Sequence, residues 1–281
     1  MRRILFLLAF LLPGVAALAQ YKTLTDLPYR PAAAASAASA NAAAAIAPDA
    51  YAQERCKLDI YYPTEQADCP VVVWFHGGGL TGGNKFIPAE LMNSGLVVVA
   101  VNYRLMPRAD ISDCIDDAAA AVAWTFHNIG RFNGAENKIF VAGHSAGGYL
   151  ADMIGLDKHW LAKYGIDADR IAALVPYSGQ VITHFAIREK RGMSPTQPLI
   201  DEFAPLYHIR PDAPPIVIIS ADREQELYGR YEETAYFWRM LKLVGHKDVS
   251  MYELDGYDHG DMAVPAHAIL KKHIKRLCSS R

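Results

Sequence analysis

Gly143-His144-Ser145-Ala146-Gly147 is a G-x-S-x-G frame between a strand-like apolar run (138–142) and a helix-like one (146–156). A serine at such a junction sits on a sharp turn that lifts its hydroxyl out of a sheet. Gly143 and Gly147 flank it because a Cβ there would crowd the neighbouring strand or helix. Acyl transfer at neutral pH needs that nucleophile, a base for its proton, an acid to orient the base, and donors for the developing oxyanion. His259, in a glycine-flanked loop after the last predicted strand, is the best-placed base; adjacent residues on a sharp turn diverge, so His144 should point away from Ser145. The acid should follow the preceding strand, where Glu224 is the choice and Asp222 the alternative, the latter also suited to fixing the turn. His76-Gly77-Gly78-Gly79 follows another apolar run, and amides of Gly78 or Gly79 could join that of Ala146 in an oxyanion hole.

These residues need a scaffold that brings distant loops together. Apolar runs at 71–75, 96–101, 139–142, 171–176, 216–220 and 249–254 read as buried strands. Helical patterns at 111–128, 146–156, 228–244 and 262–277 alternate with them, and 56–62 reads as an edge strand. The expected class is therefore α/β, a mostly parallel central sheet with helices on both faces. Residues 180–210 break the pattern and read as a small cap insert shaping the substrate pocket, because loops leaving strand carboxyl ends form the ligand side of such sheets.

With 281 residues, 52% hydrophobic and 21% charged, the chain can bury a large core. A formal charge of −2 offers no nucleic-acid footprint. Arg2 and Arg3 before the apolar run 4–12, then Ala17-Leu18-Ala19, read as a signal peptide over 1–19; the run is too short for a stable membrane anchor. Its removal leaves a formal charge of about −4. The expectation is a secreted or periplasmic protein. Residues 20–50 read as an N-terminal segment with an alanine-rich linker, and 51–281 as the catalytic domain. Cys56, Cys69, Cys114 and Cys278 lack metal-site or redox spacing; they are either small buried residues or, after export, partly paired, with Cys56 and Cys69 closing a short loop. Asp255, Asp258, His259 and Asp261 form a sequence cluster, but the serine turn explains His259 better than a metal does, and no metal or cofactor is called for.

On these motifs the chain resembles the α/β-hydrolases of the esterase/lipase group with an H-G-G-G oxyanion motif, similar to hormone-sensitive-lipase-like, arylformamidase-like and bacterial acetyl or feruloyl esterases. The resemblance spans roughly residues 56–277. Tyr103-Arg104-Leu105 resembles the group's strand-end motif, whose arginine is structural, and many members have aspartate where Glu224 stands here. It implies a serine hydrolase of carboxylic esters; joined to the export reading of residues 1–19, the expected substrates are short acyl or aryl esters met outside the cytoplasm, carbohydrate esters and oligosaccharide fragments among them. An amidase, arylformamidase or peptidase-like hydrolase is the alternative reading, and a non-catalytic binding module on the same fold is the reading from a different class.

Overall fold

Three consecutive valines in each of two runs, 71–73 and 97–99, leave no polar position for solvent, so both segments must be covered on both faces. In the computed structural model, which describes residues 20–30 and 50–279, they are the central strands β3 (Cys69–Phe75) and β4 (Val97–Val101). Around them lie β1 (Tyr21–Pro28), β2 (Lys57–Pro63), β5 (Gly134–His144), β6 (Ala173–Tyr177), β7 (Ile216–Ala221) and β8 (Val249–Leu254). All eight form one sheet in the order β1-β2-β4-β3-β5-β6-β7-β8. β1 and β2 run antiparallel to their neighbours, and the remaining strands are parallel.

The pleat divides the core into two layers. Val71, Val73 and Phe75 face α2 (Ile111–Asn128), α3 (Ala146–Leu156) and the Phe237–Leu241 side of α6 (Arg230–Leu243). Val72 and Trp74 face α7 (Ala263–Ser279) through Ala266, Leu270 and Ile274. Each fully buried valine or leucine contributes roughly 1.5–3 kcal/mol, so this doubly covered sheet is where stability is concentrated.

From β3 the chain passes to β4 on one side, then crosses back to β5 on the other. That reversal falls between β3 and β5, and the carboxyl ends of strands at such a switch point are the usual ligand position in these sheets. Pairing of Phe75 with Gly143 sets the glycine loop after β3 beside the turn after β5.

The sheet edge corrects one expectation. Residues 57–63 are not the edge strand, because β1 pairs outside them, from Tyr21 opposite Pro63 to Pro28 opposite Lys57. β1 is largely solvent-exposed, so it lacks the apolar alternation that marks a half-buried strand. Its anchor is local: the Tyr21 ring stacks on Tyr61 at 4.8 Å and 3°. The signal-peptide reading (1–19) and the alanine-rich linker (31–49) lie outside the described residues.

Residues 180–210 connect β6 to β7 and contain α5 (Phe185–Lys190) and a 3-10 turn at Pro205–His208. The insert is held largely by itself. Buried Arg188 donates to the carbonyls of Thr183, Pro195 and Gln197, and Thr183 Oγ1 donates to Asp201 at 2.7 Å. It is tied to the sheet's helices where Tyr149 donates to Phe203 O, at 2.8 Å, and where Arg210 donates to the carbonyls of Leu156 and Gly155 at the end of α3.

Candidate active site

Ser145 occupies the turn between β5 and α3 with φ 56° and ψ −116°, a strained conformation for a residue with a side chain. Two glycines make the turn possible. A Cβ on Gly147 would lie 2.1 Å from the Phe75 carbonyl oxygen, and one on Gly143 would lie 2.5 Å from the Gly147 carbonyl. The Ser145 amide donates to Tyr177 O at 2.8 Å, locking the turn to the end of β6. Ala146, next in the chain, begins α3, so its N–H has no partner within the helix and lies at the positive end of the helix dipole.

His259 reaches over from the loop between β8 and α7. Its Nε2 lies 2.9 Å from Ser145 Oγ and its Nδ1 2.5 Å from Glu226 Oε1. The loop is shaped by Asp258, whose carboxylate accepts from the amides of Gly260 and Asp261 at 2.8 Å each. Among the described residues no group of His, Cys, Asp or Glu has the arrangement of a metal site.

The carboxylate beside His259 is neither Glu224 nor Asp222. After β7 the chain makes a turn in which Gln225 N–H donates to Asp222 O. This turn leaves Glu224 exposed and brings Glu226, two residues on, back against the imidazole. Counting residues from the strand end gives the reach of a carboxylate but not the direction a turn gives it. Asp222 fixes the turn instead, accepting from the amides of Glu224 (2.8 Å) and Gly256 (2.7 Å) and so joining the acid loop to the histidine loop. The Glu226 side chain is 1% exposed. Burial alone would raise its carboxyl; hydrogen bonds from His259 and Ser178, with the histidine's charge, outweigh it and hold the group at about 2.

His144 diverges from Ser145 but stays in the site. Its Nε2 donates to the backbone carbonyl of His259 at 2.7 Å, and the two rings lie 4.9 Å apart. Burial lowers its imidazole to about 4, so it is neutral at physiological pH and serves as a donor.

The glycine loop passes alongside. Gly78 and Gly79 adopt φ 115° and 63°, and the Gly78 carbonyl accepts from the amides of Thr81 and Gly82, closing a tight turn. A Cβ on Gly77 would lie 3.4 Å from Ser145 Cβ. The base of the loop is braced: Tyr103 stacks on His76 at 4.5 Å and donates to its carbonyl, while Arg55 binds the carbonyls of Tyr103 and Gly83. The neighbouring Arg104 holds buried Asp117 through two side-chain bonds of 2.8 and 2.9 Å, a structural ion pair remote from the serine turn in the hydrogen-bond pattern. Cys56, Cys69 and Cys114 are buried thiols, and Cys56 is not joined to Cys69.

Over the glycine loop lies the insert. A Cβ on Gly79 would come within 3.0 Å of Phe185 Cζ. The Phe185 ring lies 6.4 Å from Tyr228, which follows the acid loop and is 58% exposed.

The sequence matches the BD-FAE family over residues 58–170. It is 27% identical over 242 residues to a protein of Oryza sativa subsp. japonica described as a probable isoprenylcysteine alpha-carbonyl methylesterase, a match covering 75% of this chain and 55% of that protein. The chain spans about half the length of the curated relatives it matches. In structure it is similar to a truncated carbohydrate esterase from gut microbiota, with a TM-score of 0.70 at 16% identity over 93% of this chain and 98% of that one. It is also similar to a propionate-bound esterase of the Planctomycetes species Thermogutta terrifontis, with a TM-score of 0.61 at 21% identity over 80% of this chain and 89% of that one. The fold is the one these hydrolases share.

Proposed function

We propose, for a chain that is an α/β-hydrolase of the esterase group, that it hydrolyses carboxylic esters with Ser145 as nucleophile, His259 as base and Glu226 as the orienting acid. The observation that carries this reading is the unbroken line Ser145 Oγ–His259 Nε2 (2.9 Å) and His259 Nδ1–Glu226 Oε1 (2.5 Å). Glu226 keeps the proton on Nδ1, so Nε2 is free to accept. As Ser145 Oγ attacks the ester carbonyl, its proton moves to Nε2, and the imidazolium faces the carboxylate. The same proton then goes to the leaving alcohol, and water activated by His259 releases the acid from the acyl-enzyme. The amides of Ala146 and of Gly78 or Gly79 receive the oxyanion; removal of one such donor typically costs about 3 kcal/mol of transition-state stabilisation.

The substrate is an ester with a short acyl group and an alcohol or aryl part that meets the aromatic side of the site. Phe185 closing on Gly79 supports a short acyl pocket, and the propionate held by one structural neighbour agrees with that size. The exposed face of Tyr228 beside Phe185 offers a flat apolar surface for an aryl or sugar ring, and another neighbour is a carbohydrate esterase. The leader-like residues 1–19 support action outside the cytoplasm, secreted or periplasmic.

The test is turnover of p-nitrophenyl esters from acetate to decanoate, with Ser145→Ala as control. Fast turnover of the short esters, lost in the variant, is expected. Turnover that survives loss of the Ser145 hydroxyl, or none on any ester, would overturn the reading.

A further inference from the structure

A single dipeptide at the end of β6 reaches both the nucleophile turn and the acid. Tyr177 O accepts the Ser145 amide. Ser178, the next residue, donates its Oγ–H to Glu226 Oε2 at 2.5 Å. Ser178 is buried with φ +45°, in the left-handed region where glycine is at ease and other residues are strained. Its backbone is fixed on both sides: its amide donates to Ile219 O at 2.7 Å, and its carbonyl accepts from Arg230 Nη1 at 2.6 Å. Strain of this kind, held by surrounding bonds, is concentrated at working sites. The side chain retained there puts its one polar atom on the acid.

The carboxylate of Glu226 has four donors. Oε1 faces His259 Nδ1 and accepts the Leu227 amide at 2.8 Å; Oε2 accepts from Ser178 Oγ and, at 3.4 Å, from the Ala221 amide. Among the described residues, Ser178 therefore supplies the one short bond on the oxygen turned away from the imidazole. Without it that oxygen keeps a long contact, and the plane of the carboxylate is no longer set from behind.

We infer that Ser178 is a positioning residue for the hydrolysis proposed above: its hydroxyl holds the Glu226 carboxylate aligned to His259, while its own proton stays in place throughout the reaction. The inference rests on that functional reading. The groups facing Glu226 are His259 from the loop after β8, Arg230 from the first turn of α6, and His144 from the nucleophile turn. A carboxylate that loses a donor is more basic and shares the imidazole proton more readily. The acid limb of the kcat/KM profile, which reports the His259–Glu226 pair, then moves to higher pH.

The experiment compares wild type, Ser178→Ala and Ser178→Gly. Glycine relieves the positive φ, so the second variant separates loss of the hydroxyl from damage to the fold. Expected in Ser178→Gly are a melting temperature at or above wild type, a roughly 10- to 100-fold fall in kcat with KM for p-nitrophenyl acetate within about twofold, and an acid limb moved up by about half to one pH unit. Ser178→Gly with kcat within about twofold and an unmoved acid limb would overturn the inference. The rate at which a fluorophosphonate probe modifies Ser145 is measured in parallel, because it reads the triad without any ester. Should wild type hydrolyse no ester, the functional reading fails by itself. A tenfold slower modification of Ser178→Gly would then still support the positioning role, and an unchanged rate would refute it.

Discussion

Replacing Glu226 by glutamine keeps the size of the side chain and removes its charge from a site where that side chain is 1% exposed. The carboxyl is held from an ordinary 4.5 to about 2, even though burial acts to raise it. Part of that depression comes from His259, by hydrogen bond and charge, and part from the bonds given by Ser178 and the Leu227 amide. The His259 share is lost to the imidazolium that forms as Ser145 attacks; a hydrogen bond to a charged group contributes about 1.5–3 kcal/mol, so this alone predicts a rate lower by about one to two orders of magnitude. Glutamine can also donate to Nδ1, favouring the tautomer with hydrogen on Nε2, where it cannot take the serine's proton; the total loss should approach 10⁴-fold. The assay is kcat/KM on p-nitrophenyl acetate at pH 8, with circular dichroism melts to confirm folding. Glu224→Gln, altering an exposed side chain, should stay within about twofold of wild type. A Glu226→Gln enzyme retaining more than about a tenth of wild-type activity, or a Glu224→Gln enzyme losing a hundredfold, would refute the assignment.

Three further outcomes are expected. His144→Ala removes the donor to the His259 carbonyl and should lower kcat about three- to tenfold with KM unchanged, read from steady-state kinetics; an equal change in KM alone would count against a role in placing the histidine loop. Gly147→Ala puts a methyl 2.1 Å from the Phe75 carbonyl oxygen and should destabilise by more than about 3 kcal/mol or prevent soluble expression, as urea unfolding would reveal. Acid should weaken the fold before any carboxylate titrates fully. Burial chiefly lowers His76 and His267 to about 4 from an ordinary 6.5, so the folded state keeps them neutral while the unfolded chain takes up protons. Their contribution is complete above pH 6.5 and lost as pH falls towards 4, amounting to about 2 kcal/mol each by pH 5; an unmoved urea midpoint between pH 7.5 and 5 would contradict this.

Most of the sheet was legible because buried parallel strands write themselves as continuous apolar runs, and α2 and α3 begin and end where their patterns do. Ser145 and His259 were legible for a related reason: each sits where an apolar run stops and glycines begin. β1 was not, since a mostly exposed strand has no apolar face to announce it. Glu226 lay two residues beyond the expected acid because a turn, stabilised by Asp222, sets direction as well as distance. Ser178 carries no local signal, and His144 none beyond its place beside Ser145. Their partners are 48 and 115 residues away, and only the packed sheet brings them together.

The insert after β6 closes most of its hydrogen bonds on itself, around Arg188, and is fastened to the body through Phe203, Arg210 and Gln180 and by Val181, Ala186, Ile187 and Leu206 in the main core. Residues 191–200, with no fully buried residue among them, are its outer part, away from the core. The sequence there can drift while the serine turn, the acid loop and the histidine loop keep the supports they share with one another, Tyr177, Ser178, Asp222 and His144. A library confined to residues 191–200 would change the surface of the insert while leaving Ser145, His259 and Glu226 untouched.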